Sequence, residues 1–232
     1  AAVSARTKAI AFSNPNNPTG VVLDKQELEA IADIAKHHDL WVIADEVYAR
    51  LCFEKPHTPI AALPGMAERT VTVSSLSKSH AMTGWRAGWL AGPEDLVSHA
   101  ANLALCMLYG LPGFIQEASQ FALEEAMDAA ASMRSIYRHR RDLTTAALAP
   151  AHNLSDLVPE AGMFVLVDVR ATGLTALEFS QQLYEAEKVS TLDGGAFGKN
   201  ASGYIRVSFA SGDDELREGC ARIVRFANSL QP

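Results

Sequence analysis

One lysine stands out by its neighbours. The run Ser74-Ser75-Leu76-Ser77-Lys78-Ser79 sets Lys78 among hydroxyls, and Arg86 follows eight residues later. A lysine at a strand end can be held away from bulk water, where desolvation favours the neutral amine. That amine is the nucleophile needed for a Schiff base with an aldehyde cofactor. Ser75, Ser77 and Arg86 supply hydroxyl donors and a two-pronged guanidinium, which suit an anion bound beside the lysine. A surface turn that happens to contain Lys, Ser and Arg explains this stretch equally well, because short motifs recur by chance.

Two further places carry chemistry-bearing residues. Asn14-Pro15-Asn16-Asn17-Pro18-Thr19-Gly20 is a sharp, rigid loop by composition, and composition alone says no more. Asp45-Glu46-Val47-Tyr48 follows the apolar run Trp41–Ala44. In the second half, Arg206 is a guanidinium in the middle of the strand-like Tyr204-Ile205-Arg206-Val207-Ser208-Phe209. A buried arginine needs an anionic partner. A salt bridge to a nearby carboxylate satisfies that need as well as a bound substrate does.

The elements that must position these residues follow from patterning. Lys8–Phe12, Trp41–Ala44, Thr70–Val73 and Ala87–Ala91 read as strands, with Trp41–Ala44 and Thr70–Val73 buried. Between the first two, Asp24 and Glu27 form a capping box for a helix striped by Leu28, Ile31, Ile34 and Ala35, with His37 and His38 at its last turn. Strand, helix, strand, loop and strand predict a mostly parallel sheet, with ligands beyond the carboxyl ends of its strands. Three such ends carry Asn17, Asp45 with Tyr48, and Lys78.

Pro93 to Leu108 is expected to be a helix with Leu96, Val97, Ala100, Leu103 and Ala104 on one side, broken by Gly110-Leu111-Pro112-Gly113. Phe114 to about Leu148 reads as one long helix or two end to end, and we expect the domain boundary inside it, with residues 1–125 in the first domain and 126–232 in the second. Arg134, Arg138, His139, Arg140 and Arg141 are expected on its solvated face. The remainder reads as a second α/β unit. It has strands at 162–169, 189–192 and 204–209, a helix opened by Thr175 with Glu178, and a closing helix from Asp213 to Ser229 striped by Leu216, Cys220, Ile223, Val224 and Ala227.

Composition narrows the function classes. With 48% hydrophobic and 20% charged residues, the 232-residue chain can bury one large core or two smaller ones. A net charge of -7 argues against a nucleic-acid surface. Cys52, Cys106 and Cys220 are too widely spaced for a CxxC site and read as reduced, mostly buried thiols of a cytoplasmic protein. No stretch is long and apolar enough to span a membrane. The absence of a GxGxxG turn gives a nicotinamide enzyme little support. The chain has no initiator methionine and opens directly on the approach to a strand, so it is expected to be a fragment.

Four motifs in order, Asn14 to Gly20, Asp45 to Tyr48, Ser75 to Lys78 with Arg86, and Tyr204-Ile205-Arg206, resemble the pyridoxal-phosphate-dependent aminotransferases of fold type I, the aspartate-aminotransferase-like group. Within it, Leu76 to Arg86 and Asn102 to Gly110 are similar to bacterial arginine–pyruvate transaminases. The resemblance implies an α/β fold, here the C-terminal portion of the family's chain. A partial, mostly parallel large-domain sheet would be joined to a small α/β C-terminal domain. It also implies amino-group transfer from an L-amino acid, arginine among them, to a 2-oxo acid such as pyruvate, in a homodimer.

By the same resemblance, Lys78 holds pyridoxal 5'-phosphate as a Schiff base and then shuttles a proton. Asp45 pairs with the ring nitrogen, Tyr48 and Asn17 bond the phenolic oxygen, and Ser75, Ser77 and Arg86 clamp the phosphate. Arg206 grips the substrate α-carboxylate, with Asn17 beside it. The family's N-terminal portion, with its small-residue phosphate turn and an aromatic stacked on the ring, has no counterpart here, so unpaired sheet edges are expected. Leu192 to Gly198, a loop on the substrate side, lacks the proline common in the family. A lyase on the same scaffold and a non-catalytic fragment are the alternative readings.

Overall fold

The parallel half of the structure starts from a helix that caps itself. In the computed structural model, which describes residues 2–230, Asp24 accepts from the Glu27 backbone while the Glu27 carboxylate accepts from the Asp24 N–H at 2.8 Å. This capping box opens α1 (Lys25–His37), which crosses from β1 (Ala9–Ser13) to β2 (Trp41–Asp45). Leu28, Ala32 and Ala35 of α1 are fully buried against Val42, Ala44, Ile60 and Met66. The stripe therefore runs through Ala32, whereas Ile34, expected to be buried, is 44% exposed.

β1, β2 and β3 (Thr70–Ser75) are parallel and adjacent, and β4 (Gly88–Ala91) returns antiparallel to β3. β2 alternates strictly, with Val42 and Ala44 buried and Trp41 and Ile43 exposed. It is thus a half-buried strand, where the apolar run predicts burial on both faces. β4 is exposed throughout. On the predicted apolar side of α3 (Glu94–Leu108), Leu96, Val97 and Ala100 are half-buried, whereas Leu103 is 61% accessible and Ala104 is exposed as well. Helical period identifies a face but not what lies against it. The long helical stretch is two helices, α4 (Gly113–Glu124) and α5 (Met127–Leu148).

Contacts divide the chain into two compact units. The first is Ala1–Asn16 with Val22–Arg134; the second is Asn17–Val21 with Ser135–Pro232. The division falls within α5, nine residues beyond position 125.

The second unit is an antiparallel sheet in the order β5 (Ser155–Leu157), β6 (Phe164–Asp168), β8 (Tyr204–Ser208), β7 (Leu192–Asp193). α6 (Ala176–Glu187) has the expected capping box of Thr175 and Glu178, and α7 (Asp213–Ser229) closes the chain. Phe179 and Leu183 of α6 meet Cys220, Ile223, Phe226 and Ala227 of α7 over Val165, Val167 and Ile205 of the sheet. Strand structure is confined to Leu192–Asp193 where 189–192 was expected, and β5 carries no pattern that announces it. The basic run of α5 is not uniformly solvated. Arg141 is buried and donates to the Pro159 carbonyl at 3.1 Å, while His139 and Arg140 bond Asp213 at the start of α7.

Candidate active site

Parallel pairing carries the first cluster. Ser13 lies opposite Asp45 and Asp45 opposite Val73, so β1 and β2 end level and β3 runs on through Ser74 and Ser75 at the same end of the sheet. Asn14 donates to the Asp45 carbonyl and Glu46 to the Val73 carbonyl, both at 2.9 Å, so the turn leaving β2 is fixed on both sides. The Asp45 side chain is exposed at that edge, where Oδ1 accepts from the Val47 N–H at 3.1 Å. Tyr48, three residues on, is buried and precedes the tight turn Ala49–Leu51.

Lys78 sits in a single helical turn, α2 (Leu76–Ser79), directly after β3. Ser75 caps it, its Oγ accepting from the Ser77 N–H at 3.3 Å. Leu76 is fully buried and pins the turn, leaving Ser77 and Lys78 half-buried. β4 then brings the chain back, with Gly88 opposite Ser75. A Cβ on Gly88 would stand 3.0 Å from the Ser74 carbonyl oxygen, so the two backbones approach closely. Arg86, two residues before Gly88, takes a left-handed conformation (φ 55°) and donates to the Thr83 carbonyl at 2.8 Å. Asp45, Tyr48, Ser75, Ser77, Lys78 and Arg86 thus all belong to the carboxyl-end side of one sheet.

Arg206 and Asn17 form the second cluster, within the second unit. Arg206 Nη1 donates to Asn17 Oδ1 at 2.9 Å. Its guanidinium carbon lies 3.9 Å from the centroid of the Phe164 ring and 4.7 Å from that of Phe197. Leu166 and Leu192 pair with Arg206 on either side of β8. The loop bearing Asn17 is held to this unit through Gly20, whose carbonyl accepts from the Glu160 N–H at 3.0 Å. Gly20 has φ +70°, and a Cβ there would overlap Pro159.

Sequence reasoning missed some residues around these clusters. Phe164 and Phe197 are invisible as partners of Arg206 until strand register is known. His57 is another: its Nε2 lies 3.1 Å from Glu46 Oε2, with both side chains more than nine-tenths buried. That pair lines a cleft of about 760 Å³ with Arg50, Cys52 and Arg134. Among the described residues, no group of three or more His, Cys, Asp or Glu could hold a metal ion. Nor is any described helix long and apolar enough to cross a membrane.

The family profile described as Aminotransferase class I and II matches residues 1–223, and the chain belongs to that family. It is 50% identical over 230 residues to the arginine–pyruvate transaminase of Pseudomonas aeruginosa, covering 99% of this chain and 58% of that protein. It is 39% identical to an aspartate aminotransferase of Pyrococcus abyssi, covering 95% and 57%. An aromatic aminotransferase structure from Pyrococcus horikoshii superposes with a TM-score of 0.94 at 37% identity, over 98% of this chain and 62% of that one. The N-succinyldiaminopimelate aminotransferase of Mycobacterium tuberculosis gives 0.93 at 35%, over 97% and 60%. The fold is that of the fold type I aminotransferases over part of their length, and the chain spans less than two thirds of each relative named here.

Members of this family use pyridoxal phosphate, and the first cluster fits that group chemically. An exposed carboxylate suits a protonated ring nitrogen, a half-buried amine suits an aldehyde, and two hydroxyls with a guanidinium suit a phosphate.

Proposed function

We propose that the protein transfers an amino group from an L-amino acid to a 2-oxo acid, with pyridoxal 5'-phosphate held by the first unit. The observation that carries this reading is the shared sheet end of Asp45 and the Ser75–Lys78 turn, to which β4 returns Arg86. In this reading Asp45 holds the ring nitrogen, Tyr48 the phenolic oxygen, Ser75, Ser77 and Arg86 the phosphate, and Lys78 the aldehyde carbon. When bound, the group supplies a carbonyl that condenses with amines and a ring that accepts the electron pair left at the substrate Cα.

The chain's own residues do the rest. Lys78 Nζ takes the proton from Cα and returns it, as a positioned general base and acid. Arg206 grips the α-carboxylate through two parallel N–H donors and so orients the Cα–H bond, with Asn17 fixing one of its nitrogens. The first unit acts as the partial large cofactor-binding domain, and the second as the small domain.

Identity to the Pseudomonas enzyme supports arginine as donor and pyruvate as acceptor. Its three free cysteines support a reducing, cytoplasmic setting. The exposed Leu105, Met107, Leu108 and Tyr109 of the α3 end are apolar surface that a second copy would cover in a homodimer. The test is incubation of the full-length protein with pyridoxal phosphate, L-arginine and pyruvate. Alanine should form in step with pyruvate consumed, whereas ammonia released without need of a 2-oxo acid would make it a lyase.

A further inference from the structure

We propose that Phe164 and Phe197 form an aromatic clamp that sets the plane of the Arg206 guanidinium and thereby selects a planar carboxylate over a tetrahedral anion. This rests on the reading of Arg206 as the carboxylate receptor. The two rings come from separate segments. Phe164 opens β6 and pairs with Ser208, two residues along β8 from Arg206, so Phe164 and Arg206 are diagonal neighbours across the two strands. Phe197 ends the tight turn Gly194–Phe197.

That turn is firmly seated. A Cβ on Gly194 would stand 2.5 Å from the Ala201 carbonyl oxygen and 2.6 Å from that of Tyr204, and the Asp193 carboxylate accepts from the Gly195 N–H at 2.9 Å. Ring faces attract a guanidinium lying against them without neutralising its charge. Rings whose centroids lie 3.9 Å and 4.7 Å from the guanidinium carbon also restrict approach to the guanidinium plane from the sides they cover. Hydrogen bonds are thereby directed into that plane, where one nitrogen already meets Asn17. A carboxylate matches two in-plane donors with two coplanar oxygens, whereas a phosphonate that pairs two of its oxygens with the same donors must carry the third out of that plane.

The test uses the full-length protein and the variants Phe164→Leu, Phe197→Leu, Phe197→Tyr and Arg206→Lys. Two quantities are read: KM and kcat for L-arginine in the loaded enzyme, and calorimetric Kd for pyruvate and for acetylphosphonate in the cofactor-free protein. Each Leu variant should raise KM and the pyruvate Kd about fivefold with kcat kept within about twofold, the scale of a lost cation–π contact. Their preference for pyruvate over acetylphosphonate should shrink, and Phe197→Tyr, which keeps a ring, should behave as the parent. Phe197 is 40% exposed, so its truncation leaves the fold intact and decides the matter if Phe164→Leu does not fold. Parental affinities and selectivity in the Phe197→Leu variant, alongside weakened binding in Arg206→Lys, would overturn the clamp alone. Unchanged binding in Arg206→Lys would overturn the carboxylate-receptor reading, and the clamp with it.

Discussion

Arg206 and Asn17 are 189 positions apart and joined by a hydrogen bond of 2.9 Å from Nη1 to Oδ1. The bond ties a proline-rich loop to the middle of β8. Arg206→Lys removes the planar fork but keeps the charge. It should weaken amino acid binding by about tenfold to a hundredfold, the range for hydrogen bonds to a charged group. Asn17→Ala, which loses one neutral partner, should cost less. Initial-rate kinetics over a range of amino acid concentrations measure both, and equal KM values for parent and Arg206→Lys would contradict the assignment.

Lys78→Ala should lower turnover by at least about a hundredfold to ten-thousandfold, the span of lost general acid–base catalysis. The fold should persist, because the α2 turn is pinned by Leu76 and not by the lysine. Borohydride reduction of the loaded parent, followed by peptide mass mapping, should place the adduct on Lys78. An adduct on another side chain removes the proposed chemistry.

Gly194→Ala places a methyl against two backbone oxygens at 2.5 Å and 2.6 Å. Backbone cannot yield as a side chain tip can, so a destabilisation of about 2–3 kcal/mol is expected, as for overpacked sites. Urea midpoints give the value. A midpoint unchanged from the parent would mean the turn is looser than it stands here.

Burial, reinforced by the charge of Arg50, holds His80 below the ordinary histidine pKa of 6.5. The sign follows from linkage. Above 6.5 both states are neutral at this residue and no stability is lost. As pH falls through that value the unfolded chain takes up its proton first, and stability declines until the folded group also protonates. His80→Gln should flatten this acid slope. Denaturation midpoints between about pH 5 and 8, where histidine titrates, provide the check. A parent no steeper than the variant on the acid side would refute it.

Local signals carried most of the helices. The Asp24/Glu27 and Thr175/Glu178 capping boxes are short-range chemistry, and both stand where the sequence places them. Strand identity was harder. β5 is three residues long and exists because Asp156 pairs with Val167 of β6, a partner no window around it contains. Periodicity located the apolar sides of α1 and α3 but could not say that Ile34 and Leu103 lie open. Arg141 looks like its charged neighbours, yet the Pro159 carbonyl draws it inward. For the candidate site, residue types and order pointed to Lys78, Asp45 and Arg206. The Phe164 ring beside Arg206 required the β6–β8 register, and Phe197 the seating of the turn Gly194–Phe197, both properties of the folded chain.

The five residues Asn17–Val21 belong with a body otherwise built from position 135 onward. That body is therefore not a cassette. A gene segment beginning at Ser135 would omit the residue that bonds Arg206 and the glycine that accepts from Glu160. Grafting the half that carries Arg206 onto another scaffold thus requires two pieces of chain, and a swap made at a single cut would transplant the guanidinium without Asn17.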